Sequence, residues 1–215
     1  MNKIKELLHT VREDYAKDKF DISIANDSPF DQFENWFSLA VSAHIPDVNA
    51  MNLATADKNG RPSSRIVLLR DANEDGFTFF TNYNSRKGSQ LLENPFAALN
   101  FYWPQLEKQI RVEGNISKVS DQVSDEYFAS RPVDSQIGAW ASDQSHTIAS
   151  RKELEEKYAA LKEKYKSTVP RPPHWGGFVL KPVYFEFWQG RESRLHDRVV
   201  YHLEGNAWHK SMLAP

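Results

Sequence analysis

The stretch AMNLATADKNGRPSSRIVLLRD, Ala50 to Asp71, decides how the rest of the chain reads. From Asn49 the apolar period is strand-like. AMNLATAD, a KNGRP turn and SSRIVLLRD form a β-hairpin with Asn59-Gly60 at the bend, because Asn-Gly tolerates the positive φ of a tight turn. Downstream, NEDG leads into a further strand, FTFFTN. SRKGSQLLEN is a short helix stopped by Asn94-Pro95, and FAALNFYW and KQIRVEGNISKVS are two more strands around PQLE. Short strands with closely spaced turn signals favour a barrel or sandwich over a parallel βαβ sheet.

Upstream of the hairpin the period is helical. Ile4, Leu7, Leu8, Val11 and Tyr15 share one face, and DKFDISIANDSP breaks the pattern. A second helix begins with Ser28 as N-cap, Pro29 in the first turn and Asp31 at the positive end; its expected apolar face is Phe30, Phe33, Phe37 and Val41, with Trp36 beside it. After the strands, DQVSDEYFASR and SRKELEEKYAALKEKYK are helical. The latter has Leu154, Tyr158, Leu161 and Tyr165 on one face and Ser150 and Glu153 spaced as a capping box. STVPRPPHW is a connector, and GGFVLKP, VYFEFWQG, DRVVYHLEG and NAWHKSMLAP are closing strands. The expectation is one domain over residues 1–215, mainly β with flanking helices (α+β). Helices occupy about residues 1–44 and 121–166, and strands about 49–120 and 176–213.

Composition bounds the function. The chain has 215 residues, 40% hydrophobic and 26% charged, with a net charge of −2 from 27 basic and 29 acidic side chains. Nothing global draws it to nucleic acid or to an anionic membrane, so any anion site must be built locally from a few arginines. The absence of cysteine excludes disulfides, thiolate metal sites and cysteine nucleophiles. With no secretory h-region and no apolar run long enough to span a bilayer, the chain reads as soluble and cytoplasmic. It contains no dinucleotide or Walker glycine motif, no H-E-x-x-H and no G-x-S-x-G. The histidines show no tight ligand spacing; His202 and His209 flank a hairpin without a third partner, so no metal is expected.

Four stretches carry candidate anion contacts. In SRIVLLRD, Arg65 and Arg70 bracket an apolar strand. In TNYNSRKGSQ, Arg86 and Lys87 follow Ser85 into a helix start, a setting that suits a phosphate. In YFASRPVDSQIGAWASDQS, Tyr127 and Arg131 lie four apart on one helix face, and Ser135, Gln144 and Ser145 add neutral donors. In FEFWQGRESRLHDR, Arg191, Arg194, His196 and Arg198 follow an aromatic strand. Each alone also reads as solvated polar surface: a strand end, a helix start, a polar loop or a hairpin tip. Their conjunction suggests a phosphorylated aromatic cofactor beside a phosphorylated substrate.

RIVLLR, FTNYNSRKG, SRPVDSQIGAW, WGGF and FWQGRESRLHDR together resemble the pyridoxine/pyridoxamine 5′-phosphate oxidase family, in family order, from about Leu8 to the C-terminus. The resemblance implies an FMN-binding split β-barrel and a homodimer with flavins between subunits. The reaction would be oxidation of pyridoxine or pyridoxamine 5′-phosphate to pyridoxal 5′-phosphate, with O2 as electron acceptor and peroxide as product. It implies FMN contacts at Arg65, Ile66, Val67, Leu68, Leu69 and Arg70, at Phe80 and Thr81, at Arg86 and Lys87, and at Gln109, Gln144, Ser145, Trp188 and Arg198. It places the substrate phosphate at Arg70, Tyr127, Arg131 and Ser135, and Arg194, Leu195 and His196 at the substrate ring. Of these, Arg194 and His196 are the catalytic candidates. Arg12, Glu13, Asp14 and Tyr15 align with a segment that closes over the family's active site. The chain departs from the family in three places: Arg70 stands where lysine is frequent, Met212 where arginine often precedes Leu-x-Pro, and DKFDISIAND lacks a basic run. Two other readings stay open at this stage: a split-barrel flavin reductase using a nicotinamide donor, and a non-catalytic flavin or pyridoxal-phosphate carrier.

Overall fold

A computed structural model of the chain describes residues 15, 17–166 and 168–215. Of the expected first helix, Ile4, Leu7, Leu8 and Val11 lie outside the described residues, as do the candidates Arg12, Glu13 and Asp14; its last member, Tyr15, is described and is in no helix. In chain order the elements are α1 (Pro29–Ser42), β1 (Ala50–Ala56), β2 (Pro62–Leu68), β3 (Asp71–Asn73), β4 (Gly76–Asn82), α2 (Arg86–Glu93), β5 (Phe96–Trp103), β6 (Lys108–Lys118), α3 (Asp121–Ser130), α4 (Val133–Ala141), α5 (Arg151–Lys164), β7 (Trp175–Gln189), β8 (Asp197–Glu204) and β9 (Ala207–Met212). The fold is mainly antiparallel β with flanking helices. Strand order is β2-β1-β5-β6-β7-β4-β3, with β8 paired to β7 and β9 to β8.

The hairpin forms as its sequence dictates. Ala50 opposes Leu68 and Ala56 opposes Pro62. The Asp57 carboxylate accepts the N–H groups of Asn59 (2.9 Å) and Arg61 (3.0 Å), and Gly60 takes φ +77° at the bend. β2 ends the sheet path, so one edge of its backbone is outside the ladder.

Four local expectations are corrected. SSRIVLLRD is not one strand: β2 ends at Leu68, and Asp71–Asn73 forms a separate short strand, because Arg70 N–H donates to Thr78 O (2.8 Å) and the pairing continues to Asn73 opposite Gly76. SRPVDSQIGAW is not a polar loop: Arg131 leaves α3 in extended backbone (φ −76°, ψ 150°), so Tyr127 and Arg131 do not share a helix face, and Pro132 starts α4. GGFVLKP and VYFEFWQG are one 15-residue strand, β7, whose first half pairs with β4 and second half with β8. The buried stripe of α1 is Pro29, Phe33, Trp36 and Ala40, leaving Val41 52% exposed. Trp36 rather than Val41 lies on that face because its indole meets the rings of Phe20 (4.9 Å) and Phe187 (5.3 Å).

Residues divide into two compact units. One comprises Met1–Val48, Asn100–Val112 and Tyr184–Pro215. Its core is aromatic, with Phe33 against Phe101 (5.3 Å), Phe187 against Tyr201 (5.7 Å), and Phe185, Val199 and Val200 fully buried. The other comprises Asn49–Leu99 and Glu113–Val183. There Phe128, Ile137, Val169 and Trp175 form a buried cluster against which Tyr158, Leu161 and Tyr165 of α5 pack. Ser150 caps α5 by accepting the Glu153 N–H (3.3 Å), while the Glu153 carboxylate reaches one residue further back, to Ala149 N–H (3.1 Å). Among the described residues no helix is long and apolar enough to cross a membrane.

Candidate active site

A cavity of about 440 Å³ opens within the unit that holds the hairpin. The edge strand β2 supplies Ile66, Val67 and Leu68, followed by Arg70; β4 supplies Phe80, Thr81 and Asn82. Lys87 enters from α2, whose start is fixed by Ser85 accepting the Gly88 N–H. Tyr127 comes from α3, Arg131 from its C-cap, and Ser135 from α4, with Ser142 and Gln144 just beyond. Among the described residues the cationic lining is Arg70, Lys87 and Arg131, with no carboxylate beside them. A concave site with three cations and no acid among the described residues attracts an anion.

Two groupings of donors are resolved in it. Lys87 Nζ donates to Thr81 Oγ1 (3.2 Å) and Gln144 Oε1 (2.8 Å). Burial and then the nearby Arg65 charge push the Lys87 ammonium down to about 8. Arg131 lies over the Trp175 ring (4.6 Å), and Arg70 over Tyr127 (5.7 Å). The Tyr127, Phe80 and Trp175 rings stack, Phe80 lying 3.9 Å from Tyr127 and 5.6 Å from Trp175. Burial, with a smaller contribution from Arg70, lowers the Arg131 guanidinium, which nonetheless stays charged. Its Nη1 is buried with no hydrogen-bond partner among the described residues. A buried charged donor left open costs on the order of 1–3 kcal/mol or more, so the site is built for an acceptor that completes it.

The second cluster belongs to the other unit. Ser193 and Arg194 both adopt left-handed backbone, φ 56° and 61°, in the tight turn after β7. The His196 ring lies between Trp188 (4.6 Å) and Tyr15 (5.8 Å). Its Nδ1 accepts the Arg191 N–H (3.1 Å), which is possible only when that nitrogen is unprotonated, so the ring hydrogen of the neutral form sits on Nε2. Burial and the Arg194 charge lower the His196 pKa, against an opposing pull from Asp197. Arg198 Nε donates to Glu186 (2.9 Å), a carboxylate that also receives Tyr184 (3.1 Å) and Arg111 (3.0 Å). Burial alone would raise Glu186, but the Arg198 hydrogen bond and both arginine charges hold it below the usual carboxylate value.

Of the expected contacts, Ile66, Val67, Leu68, Arg70, Phe80, Thr81, Lys87, Tyr127, Arg131, Ser135 and Gln144 meet in the cavity. Gln109, Trp188, Arg194, Leu195, His196 and Arg198 belong to the other unit, and Leu195 is 68% exposed. Leu69 is buried and bonded to Asn49. Arg65 turns its guanidinium inward, donating to Thr55 Oγ1 (2.6 Å), Ser63 Oγ (2.6 Å) and Leu53 O (3.2 Å). Arg86 and Ser145 are exposed outside the lining. The sequence reading missed Trp175 as an arginine platform, and it missed Glu186. A single acid inside the aromatic strand YFEFW was the available signal for the latter, since a buried carboxylate demands partners. His202 and His209 are direct cross-strand partners, and no group of three metal-ligating side chains occurs among the described residues.

Comparison with known proteins adds an independent line. Residues 38–165 match the family model described as pyridoxamine 5′-phosphate oxidase, and residues 175–215 match the pyridoxine 5′-phosphate oxidase C-terminal dimerisation region. A pyridoxine/pyridoxamine 5′-phosphate oxidase of Actinobacillus succinogenes is 52% identical over 208 residues, covering 97% of this chain and 99% of that protein. One from Neisseria gonorrhoeae is 50% identical with the same coverage. Among solved structures, PhzG from Burkholderia lata in complex with tetrahydrophenazine-1-carboxylic acid superposes with a TM-score of 0.88 at 30% identity, covering 93% of this chain and 99% of that one. A pyridoxamine 5′-phosphate oxidase-related FMN-binding protein from Nostoc punctiforme shares the fold, with a TM-score of 0.69 at 19% identity and coverage of 87% and 98%.

Proposed function

The chain belongs to the pyridoxamine 5′-phosphate oxidase family, and from that premise we propose that it oxidises pyridoxine and pyridoxamine 5′-phosphates to pyridoxal 5′-phosphate with FMN as cofactor. The observation that carries the reading is the acid-free cavity with Arg70, Lys87 and the unpaired Nη1 of Arg131. Its donor set fits phosphomonoesters, which both FMN and the vitamers carry. FMN held there by Lys87, Thr81 and Gln144 would supply the two-electron redox chemistry between the vitamer and O2.

The chain's own residues orient and hold charge. Lys87, Thr81 and Gln144 are assigned to the flavin phosphate, and the free edge of β2 offers backbone groups to the rest of the cofactor. Arg70, Arg131, Tyr127 and Ser135 are assigned to the substrate phosphate. Anchoring the phosphate places the reacting carbon, which is worth more than any single contact at that carbon. Arg194 is assigned to the substrate ring as a fixed positive charge. His196, held neutral with hydrogen on Nε2, acts as a hydrogen-bond donor rather than a general acid. The match of residues 175–215 to a dimerisation region supports a homodimer, and we place the flavin where two protomers meet. The likeness to PhzG favours a phenazine precursor less than a vitamer, because identity to the vitamer oxidases is 52% and to PhzG 30%.

Purified protein should be yellow and release peroxide on addition of pyridoxine 5′-phosphate. A colourless protein that FMN does not reconstitute, or a flavoprotein that yields no peroxide with either vitamer phosphate, refutes the reading. Replacing Arg194 by Gln should cut turnover while FMN stays bound. Unchanged turnover removes Arg194 from the assignment.

A further inference from the structure

Tyr15 and residues 17–20 lie against the loop that carries Arg194 and His196. Lys17 N–H donates to the buried Glu107 carboxylate (3.0 Å), whose backbone carbonyl accepts the Gly190 N–H (2.8 Å). Tyr15 rests on Gly190, where an added Cβ would come within 2.8 Å of its ring. Phe20 N–H donates to Asp197 Oδ2 (3.0 Å). The same oxygen accepts Arg191 Nη1 (2.7 Å), in a pair whose side chains are only 20% and 28% exposed. Arg191 thus bonds at both ends: its guanidinium to Asp197 and its backbone N–H to His196 Nδ1.

We propose that Asp197 is a positioning residue for the oxidation: it fastens residues 17–20 to the loop of residues 190–196 and, through Arg191, fixes His196 in the neutral Nε2–H tautomer. This rests on the reading of Arg194 and His196 as the residues at the substrate ring. Phe20 and Lys17 are caught by their backbone N–H groups at Asp197 and Glu107, beside side-chain anchors: the Phe20 ring on Trp36 and Phe187, Lys17 Nζ on Gln105 O, and Asp18 on Lys108. A charged acceptor strengthens such bonds relative to neutral ones. With its guanidinium tied to Asp197, Arg191 cannot swing its peptide away, and its N–H stays aimed at Nδ1. His196 then presents a hydrogen at Nε2, between the Tyr15 and Trp188 rings, when Tyr15 and residues 17–20 are seated.

Amide hydrogen exchange and ¹⁵N-histidine NMR on the FMN-loaded protein read both halves without substrate. Asp197→Ala should speed exchange of the Phe20 amide about tenfold or more and turn His196 from the Nε2–H form into a tautomer mixture. Asp197→Asn keeps an oxygen acceptor and should retain most of both. Turnover should fall about tenfold in Asp197→Ala and within about threefold in Asp197→Asn, with FMN affinity unchanged in each. Equal Phe20 exchange in wild type and Asp197→Ala overturns the proposal, as does an unaltered His196 tautomer. Unchanged turnover alongside both spectroscopic changes overturns its bearing on the reaction. If Asp197→Ala does not fold, Arg191→Met removes the same side-chain bond and must shift the tautomer; no shift refutes the relay. A wild-type protein without oxidase activity sinks the assigned function alone, because exchange and tautomer are read without turnover.

Discussion

With Lys87 at the flavin phosphate, as proposed, FMN affinity should depend on pH. Burial, and secondarily the Arg65 charge, bring the Lys87 ammonium down to about 8. At pH 7 the free protein therefore carries roughly nine-tenths of this charge and at pH 9 roughly one-tenth. A phosphate dianion binds the protonated form and raises its pKa, so binding above pH 8 must take up a proton. The dissociation constant for FMN should therefore rise about tenfold between pH 7 and pH 9. Arg131 remains charged throughout, and His196, in the other unit, titrates below its ordinary value. The assay is quenching of FMN fluorescence by apoprotein at fixed ionic strength, so that screening stays constant. Lys87→Arg keeps its charge at pH 9, and its affinity should be flat across the window. Lys87→Met should be about tenfold weaker at pH 7 and equally flat. The reasoning fails if the wild-type constant moves less than about twofold, or if Lys87→Arg loses affinity as steeply.

Arg131→Ala removes a buried guanidinium whose Nη1 awaits an acceptor; KM for pyridoxine 5′-phosphate should rise roughly tenfold to a hundredfold with kcat little changed, and steady-state kinetics that leave KM unaltered remove it from the phosphate site. Glu186→Ala leaves Arg198 and Arg111 without the carboxylate they share and should cost about 3–5 kcal/mol in urea unfolding. The depressed Glu186 carboxyl contributes stability above its unfolded pKa, and that contribution is lost as pH falls through the folded value. Acid titration of Glu186→Gln should accordingly show a shallower loss than wild type. Gly76→Ala puts a Cβ 2.2 Å from Leu180 O at φ +134°; about 3 kcal/mol of strain should lower the melting temperature by roughly 6–12 °C, and an unchanged melting point would mean the turn re-forms.

What the chain declares locally and what only its packing decides separate cleanly. Asp57, Asn59 and Gly60 make the hairpin turn by themselves; Ser28, Ser85 and Ser150 cap their helices with their own hydroxyls; Asn94-Pro95 stops α2. These signals act over a few residues, so they are visible in the string, as are the motif blocks that mark the family. Packing chose the rest. Val41 yields its place on α1 to Trp36 because the aromatic partners of that helix come from residues far along the chain. SRPVDSQIGAW becomes α4 where Ile137 joins Phe128, Val169 and Trp175 in one cluster, a long-range gain that the periodicity of so short a segment does not announce. Arg65 and Arg131 look alike in the sequence, yet one is satisfied by Thr55 and Ser63 while the other keeps a buried nitrogen open toward a cavity. A residue's period tells which neighbours share its face. Whether a charge on that face is satisfied depends on long-range contacts, because only they decide how much water is removed and which acceptors replace it.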